Sequence, residues 1–430
     1  MRWPLWPLLA IVGAAWISFC WPWLSGRVTV PWDAKAHFYP QLVFLAQSLA
    51  SGERPFWTPY VFSGAPQIAD PQSLMFSPPH LALALFNRAP SFAAADAVPF
   101  ASLLIGAVAI LLFFRDRNWH PAGAVVAALA FMFGGSAAWR IQHVGQVMSL
   151  AWFAVTLLLL DRGLARRSML YGAAAGVSAA FMIFGRDQVA GLGVLTLAAY
   201  ALTHILSGEG RRARFASALR PLLAGAVAGG AVVAIPVLMT LVLASESNRF
   251  FIDYEGAGRG SLHPSSLLTA FVANLFGADG EFKEFWGAPS PLWGPVDLYV
   301  ARNMSVVYSG GVVAMAIVFG LAGGGALAKG ARFFAVALIA LTLYTLGRYT
   351  PFFAFAYQFI PGVDFFRRPA DGTFMIGALA ALVAGHVVHL VASGHSALIA
   401  KPGSRAIAIA VAAVLSSVAL AVAKGRLHYA

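Results

Sequence analysis

The sequence predicts an all-α, polytopic membrane protein with about 11 transmembrane helices (roughly 10 to 12) and interfacial helices within long outer loops. Three observations predict it. Of 430 residues, 60% are hydrophobic and 11% charged, too little polar surface to cover a soluble globule of that size. The mean hydropathy of +0.75 is spread along the whole chain, in apolar runs of about 20 residues, the length a helix needs to cross hydrocarbon. Basic residues gather in short clusters between alternate runs, as they do in cytoplasmic loops.

Taken in order, the runs are Trp3–Leu24, Ala97–Phe114, Ala122–Ala138, Val147–Leu160, Met169–Phe184, Val189–Leu206, Leu222–Ala244, Met304–Leu327, Phe333–Leu346, Thr373–Ala392 and Ala406–Ala423. One transmembrane domain, residues 1–430, is the natural unit. The first run is Trp-rich, preceded only by Arg2 and followed by no small-x-small cleavage site, so it reads as a retained span.

The basic clusters are Arg115 and Arg117; Arg162, Arg166 and Arg167; Arg211, Arg212, Arg214 and Arg220; Lys329 and Arg332; and Lys401 and Arg405. With Arg2 they make 14 basic residues against Asp116, Asp161 and Glu209, so their side is expected to be cytoplasmic. The net charge of +12 thus reads as a topology signal, and nucleic acid is not an expected partner. The single cysteine, Cys20, lies inside the first run, which excludes an intramolecular disulfide and a cysteine metal cluster. The sequence has no His-Glu-x-x-His helix, Ser-His-Asp set, Walker loop or nucleotide-binding glycine motif, which argues against zinc chemistry and ATP hydrolysis.

The opposite side carries three long segments, residues 25–96, 245–303 and 347–372. Loops of that length usually carry function. In the first, Trp32-Asp33-Ala34-Lys35 precedes a stretch opening at Pro40, in which Leu42, Leu45, Ala46 and Leu49 share one helical face, as in a helix lying in the interface. The glycines and prolines that follow fix turns able to hold two carboxylates near the surface. A carboxylate just outside a first span can abstract a proton from a hydroxyl or hold a divalent ion, a role that suits Asp33 first and Asp70 second. The same two residues also suit a helix cap and an Asp-Pro turn.

Guanidinium groups hold a phosphate with paired hydrogen bonds, and Arg367 and Arg368 are the leading candidates to bind one, with Arg186 behind them. Snorkelling to lipid headgroups is the alternative for arginines at span ends. Gly185-Arg186-Asp187-Gln188 joins two runs with almost no loop, so its charges lie near the apolar layer. An unpaired charge at the bilayer centre costs roughly 2.5 to 3.5 kcal/mol, so a function or an ion pair is required. His143 shares a short turn with Arg140, Gln142 and Gln146, and suits a sugar or phosphate oxygen, proton carriage, or a satisfied interfacial position. His143, Gln142, Asp187 and Trp57 are the candidate substrate-binding residues. The 245–303 segment mixes Glu246, Asp253, Glu255, Asp279, Glu281, Glu284 and Asp297 with Tyr254, Phe285, Trp286 and Trp293, which suits either a sugar acceptor or a solvated loop.

Several of these segments resemble YfhO-type bacterial membrane proteins. The likeness is carried by Trp57-Thr58-Pro59 and Ala69-Asp70-Pro71-Gln72, and by Gln142-His143-Val144-Gly145-Gln146 leading to Leu150-Ala151-Trp152. It continues through Pro264-Ser265-Ser266-Leu267-Leu268 to Asn274-Leu275-Phe276-Gly277, and through Leu346-Gly347-Arg348-Tyr349-Thr350-Pro351. It closes with Phe359-Ile360-Pro361-Gly362 and Phe366-Arg367-Arg368-Pro369-Ala370-Asp371, where Arg368 matches the family's Arg-x-Pro-x-Arg-like pattern and Asp371 departs from it.

The resemblance implies a GT-C type fold and an inverting glycosyltransferase. A sugar would leave a polyprenyl-phosphate donor for an envelope glycan or lipid-linked acceptor on the outer face of the bacterial cytoplasmic membrane. Asp33 would be base or metal anchor, with a divalent cation, Mg or Mn, as the one cofactor in view and Asp70 as a further ligand. Two readings from other classes stand beside it: a flippase or transporter of lipid-linked oligosaccharides, and a non-catalytic scaffold for envelope assembly. Ionisable residues cluster at run ends and in outer loops rather than along run middles, which favours one-sided chemistry over a transport route.

Overall fold

The structure, a computed structural model, describes residues 3–185, 187–208, 210–247, 252–277, 304 and 306–395. Among the described residues every regular element is helical, with one isolated antiparallel bridge between Thr58 and Ala65. In chain order the helices are α1 (Trp6–Leu24), a π-helical turn (Ala34–Phe38) running into α2 (Tyr39–Ser51), α3 (Pro78–Phe86), α4 (Phe92–Asp116) and α5 (Pro121–Phe133). Then come α6 (Gly135–Trp139), α7 (Val144–Arg166), α8 (Met169–Ile183), α9 (Gln188–Leu206), α10 (Arg211–Ser245) and α11 (Tyr254–Ala257). The last four are α12 (Gly311–Gly323), α13 (Arg332–Thr345), α14 (Pro351–Phe359) and α15 (Thr373–Ala392).

Among the described residues, seven stretches are long and apolar enough to cross a membrane: α1, α4, α5 with α6, α7, α9, α10, and α15 with the turn before it. The make-up is that of an α-helical membrane protein. Helices α8, α12 and α13 answer to predicted runs but have only 15, 13 and 14 residues, about 20 Å at 1.5 Å per residue against a hydrocarbon core of roughly 30 Å. Of the eleven expected spans, the last, Ala406–Ala423, lies outside the described residues.

Helix α15 is the axis of the bundle. Nearly its whole length is buried, against α5 on one side and α12 and α13 on others. Glycine lets these helices meet: a Cβ at Gly123 of α5 would overlap the Gly385 carbonyl of α15. The same device joins α8 to α10, where Gly172 and Gly176 lie against Pro221, Gly225 and Gly229. Small residues let backbones approach closely where lipid offers no hydrophobic drive for helices to associate. Helix α10 has 35 residues, packs chiefly on α8, and has only 11% of its most apolar stretch buried. Its opposite flank is left as the wall of a groove.

The predicted continuous run Ala122–Ala138 is broken in two. Gly134 adopts ψ 149° and Gly135 φ +40°, so α5 ends and α6 sets off in a new direction. The break brings the Ser136 hydroxyl to within 2.6 Å of the Thr373 hydroxyl at the head of α15. In the first long loop, α2 ends at Gly52 with φ +72°, the left-handed turn that glycine adopts without a steric cost. Its apolar face, Leu42, Leu45 and Ala46, is buried against Met75 and Ala84 of the same loop.

The two ends of the bundle differ. At one end the Trp3 indole donates to the Trp119 carbonyl at 2.9 Å, and the His120 amide to His389 at 2.9 Å. There too, Arg117 pairs with Asp161 and Arg162 with Asp116, both at 2.6 Å. The other end holds the first long loop, the turn between α6 and α7, the turn between α8 and α9, and residues 252–277 and 346–372.

Candidate functional site

A cavity of about 590 Å³ opens at this loop end, lined by Asp70, His143, Gln146, Asp187, Arg367, Arg368 and Asp371 among others. Five of these were singled out from sequence, on four separate segments. Packing of the helix ends brings them together.

The arginines are fixed by a buried frame. Arg140, at the turn after α6, is wholly enclosed and donates to Asp371 at 2.5 Å and to the Gln146 side-chain Oε1 at 2.9 Å. The Gln146 side-chain Nε2 donates in turn to the other Asp371 oxygen at 3.0 Å, and Arg368 approaches that oxygen at 3.5 Å. The Arg140 guanidinium also lies 4.8 Å from the centre of the Phe374 ring. Arg368 itself holds φ +67°, an uncommon backbone for a residue with a side chain. Its amide donates to the Arg259 carbonyl at 2.9 Å, and the Ala370 amide to the Gly260 carbonyl at 3.1 Å. Gln188, at the first turn of α9, places its amide nitrogen 2.8 Å from the Arg367 carbonyl and 3.0 Å from the Arg368 carbonyl, while its oxygen accepts from Tyr344 at 2.6 Å.

Asp187 caps α9: one carboxylate oxygen accepts from the Ala190 amide at 2.9 Å and the other from the Ser149 hydroxyl at 2.8 Å. Burial pushes its pKa up to about 6, against the lowering pull of those donors. Asp70 sits in a turn closed by the Gln72 amide on its carboxylate at 2.8 Å. That turn is tied to α10 by the Thr240 hydroxyl on the Ala69 carbonyl at 2.9 Å.

Asp33 contacts the cavity through a neighbour. Its carboxylate lies 3.2 Å from His143 Nδ1, and its side chain is 55% exposed rather than lining the cavity. The hydrogen bond from His143 holds the Asp33 carboxyl below its usual range, while burial pushes His143 below the usual histidine value. A neutral His143 then donates from Nδ1 to Asp33.

The remaining predicted residues fall elsewhere. Trp57 is exposed, covers Gly64 in the loop and does not line the cavity; Gln142 is buried beside His143 and does not line it either. Asp253 caps the short α11 through the Gly256 amide at 2.8 Å. Arg186 lies outside the described residues, as do Asp279, Glu281, Glu284 and Asp297. Among the described residues, Asp33 and Asp70 belong to no group of three or more His, Cys, Asp or Glu side chains spaced to hold a metal ion.

Sequence reasoning gave no role to Arg140, Gln146, Gln188 or Asp371. The one available signal was chemical: Arg140 closes an apolar run and must find a partner, and Asp371 stands three residues beyond Arg368.

A second space, about 650 Å³ and largely apolar, adjoins the cavity. Leu192 and Leu195 of α9, Val237 and Leu241 of α10, and Pro361 and Val363 line it. Pro71, Asp187, Gln188, Thr240, Phe365 and Phe366 line both spaces. A ligand with a charged head and an apolar tail fits this pair. Neither a known protein family nor a curated protein matches the chain.

Proposed function

We propose that the protein is a membrane glycosyltransferase of GT-C type, moving a sugar from a polyprenyl-phosphate donor to an envelope glycan or lipid-linked acceptor. The observation that carries this reading is the junction of a polar cavity bearing Arg367 and Arg368 with an apolar groove between α9 and α10. The YfhO-like motifs supply the class of chemistry. By the distribution of basic clusters, the site faces the outside of the cytoplasmic membrane.

The donor's isoprenoid tail lies in the groove, where α10 stands away from the bundle. Its phosphate meets Arg367 and Arg368, whose paired donors gain strength as charge builds on the leaving oxygens. The acceptor hydroxyl attacks the anomeric carbon from the side opposite the phosphate, which inverts the configuration. Its proton passes to a carboxylate of the site, a role the family resemblance gives to Asp33.

The groove assignment is tested by photolabelling with a benzophenone-bearing farnesyl phosphate. Label on α9 and α10 peptides that polyprenyl phosphate competes away supports it. Label confined to other helices, or indifferent to competitor, contradicts it.

A further inference from the structure

Four described carboxylates lie in or against the cavity, and their surroundings differ. Asp371 is committed to Arg140, Gln146 and Arg368. One Asp70 oxygen closes its own turn on the Gln72 amide. Asp33 is bound to His143 and stands outside the lining. Asp187 alone of the four lines both the polar cavity and the apolar groove, at the seam where a lipid-linked sugar would pass from tail to head.

The space beside Asp187 is kept clear by missing side chains. A Cβ on Gly185 would overlap the carboxylate oxygen that Ser149 touches, and one on Gly145 would sit 3.8 Å from the same oxygen. Both glycines line the cavity. Backbone amides at the head of α9 and the Ser149 hydroxyl anchor the carboxylate, whose two oxygens can accept about four hydrogen bonds in all. The charged groups around it are Asp371 before α15, Arg140 after α6, and Asp70, His143, Arg367 and Arg368 on the cavity wall. Arg186, next to it in sequence, lies outside the described residues.

We propose that Asp187, rather than Asp33, is the catalytic residue that takes the acceptor's proton; this rests on the sugar-transfer reading above. The acceptor O–H bond breaks and its proton goes to the Asp187 carboxylate. The freed oxygen pair forms the bond to the anomeric carbon. The bond from that carbon to the donor phosphate oxygen breaks, its electron pair stays on the phosphate, and polyprenyl phosphate remains with Arg367 and Arg368. The proton leaves Asp187 for water or the product phosphate, which restores the carboxylate. Asp33 then orients His143 at the cavity wall. A base titrating near 6 is ionised at neutral pH yet basic enough to work, as general-base catalysis favours.

Asparagine caps helices as well as aspartate does, so Asp187→Asn removes the titrating group and leaves the cap and the Ser149 contact. The test uses the full chain in proteoliposomes with radiolabelled polyprenyl-phosphate sugars and envelope extract. Asp187→Asn is expected to melt no lower than wild type and to keep its affinity for farnesyl phosphate, but to lose transfer by about 100-fold or more. Wild-type transfer is expected to fall off below pH 6, a limb that Asp33→Asn keeps, at reduced rate, and that the residual activity of Asp187→Asn lacks. Full transfer by Asp187→Asn, or a limb that disappears with Asp33→Asn instead, overturns the assignment and leaves the transferase reading standing. A folded wild type that binds farnesyl phosphate and transfers no sugar overturns both.

Discussion

Arg140 and Asp371 stand 231 residues apart in sequence and 2.5 Å apart in space, enclosed to the point that their side chains are 0% and 3% exposed. This ion pair binds the turn after α6 to the head of α15 and, through Asp371, steadies Arg368 at the cavity. An enclosed pair of this kind is weak as a net source of stability but costly to break from one side.

Arg140→Ala leaves the Asp371 carboxylate enclosed with Gln146 and the more distant Arg368. A loss of about 3 to 5 kcal/mol is expected, the usual cost of an uncompensated buried charge. Thermal unfolding in detergent measures it. A melting temperature equal to that of wild type would show that Asp371 finds other partners.

Helices α8 and α10 meet backbone to backbone at Gly176 and Gly225. Gly176→Leu forces them apart, with a cost of about 1 to 3 kcal/mol or more, as overpacking brings. Because α10 packs chiefly on α8, cysteines placed across their interface are expected to cross-link in wild type and to fail in the variant. Unchanged cross-linking contradicts the close crossing.

Asp187 titrates near 6 in the folded chain, above its ordinary value of 3.8. The folded state therefore binds more protons than the unfolded state between these values. Its contribution to stability is full below pH 4 and is lost as pH rises through 6. Asp187→Asn lacks that loss, so its stability relative to wild type should rise between pH 4 and pH 6 and level off above pH 7. A difference that does not change across this range counts against a raised pKa.

Arg368→Ala is expected to weaken binding of a farnesyl phosphodiester by about tenfold or more, since a charge-assisted contact is worth roughly 1.5 to 3 kcal/mol. Gln188→Leu removes the brace on the Arg367 and Arg368 carbonyls and is expected to weaken binding by a smaller factor. Titration by fluorescence or calorimetry reads both. Equal affinity in Arg368→Ala would place the phosphate elsewhere.

Hydropathy made the helices legible because each run must satisfy its own backbone in lipid. It did not reveal the break at Gly134, since Gly-Gly inside an apolar run leaves the hydropathy average unchanged. Asp70, His143, Asp187, Arg367 and Arg368 were legible as charged or polar residues at run ends. Their meeting in one cavity was not, because it depends on how the ends of α7, α9 and α15 pack. Trp57 drew notice as an aromatic in a motif-like loop, but its ring covers Gly64 instead. The Arg140–Asp371 pair could not be read from spacing at all, and Asp371 stood out only as a departure from the resembled pattern.

The most direct measurement is transfer of radiolabelled sugar from a panel of polyprenyl-phosphate sugars to envelope extract, by wild type and Arg368→Ala in proteoliposomes. Transfer by wild type, and its loss in a variant that still folds, is the expected result. A folded wild type that transfers no sugar but moves lipid-linked glycan between leaflets would contradict the enzyme reading and identify a flippase.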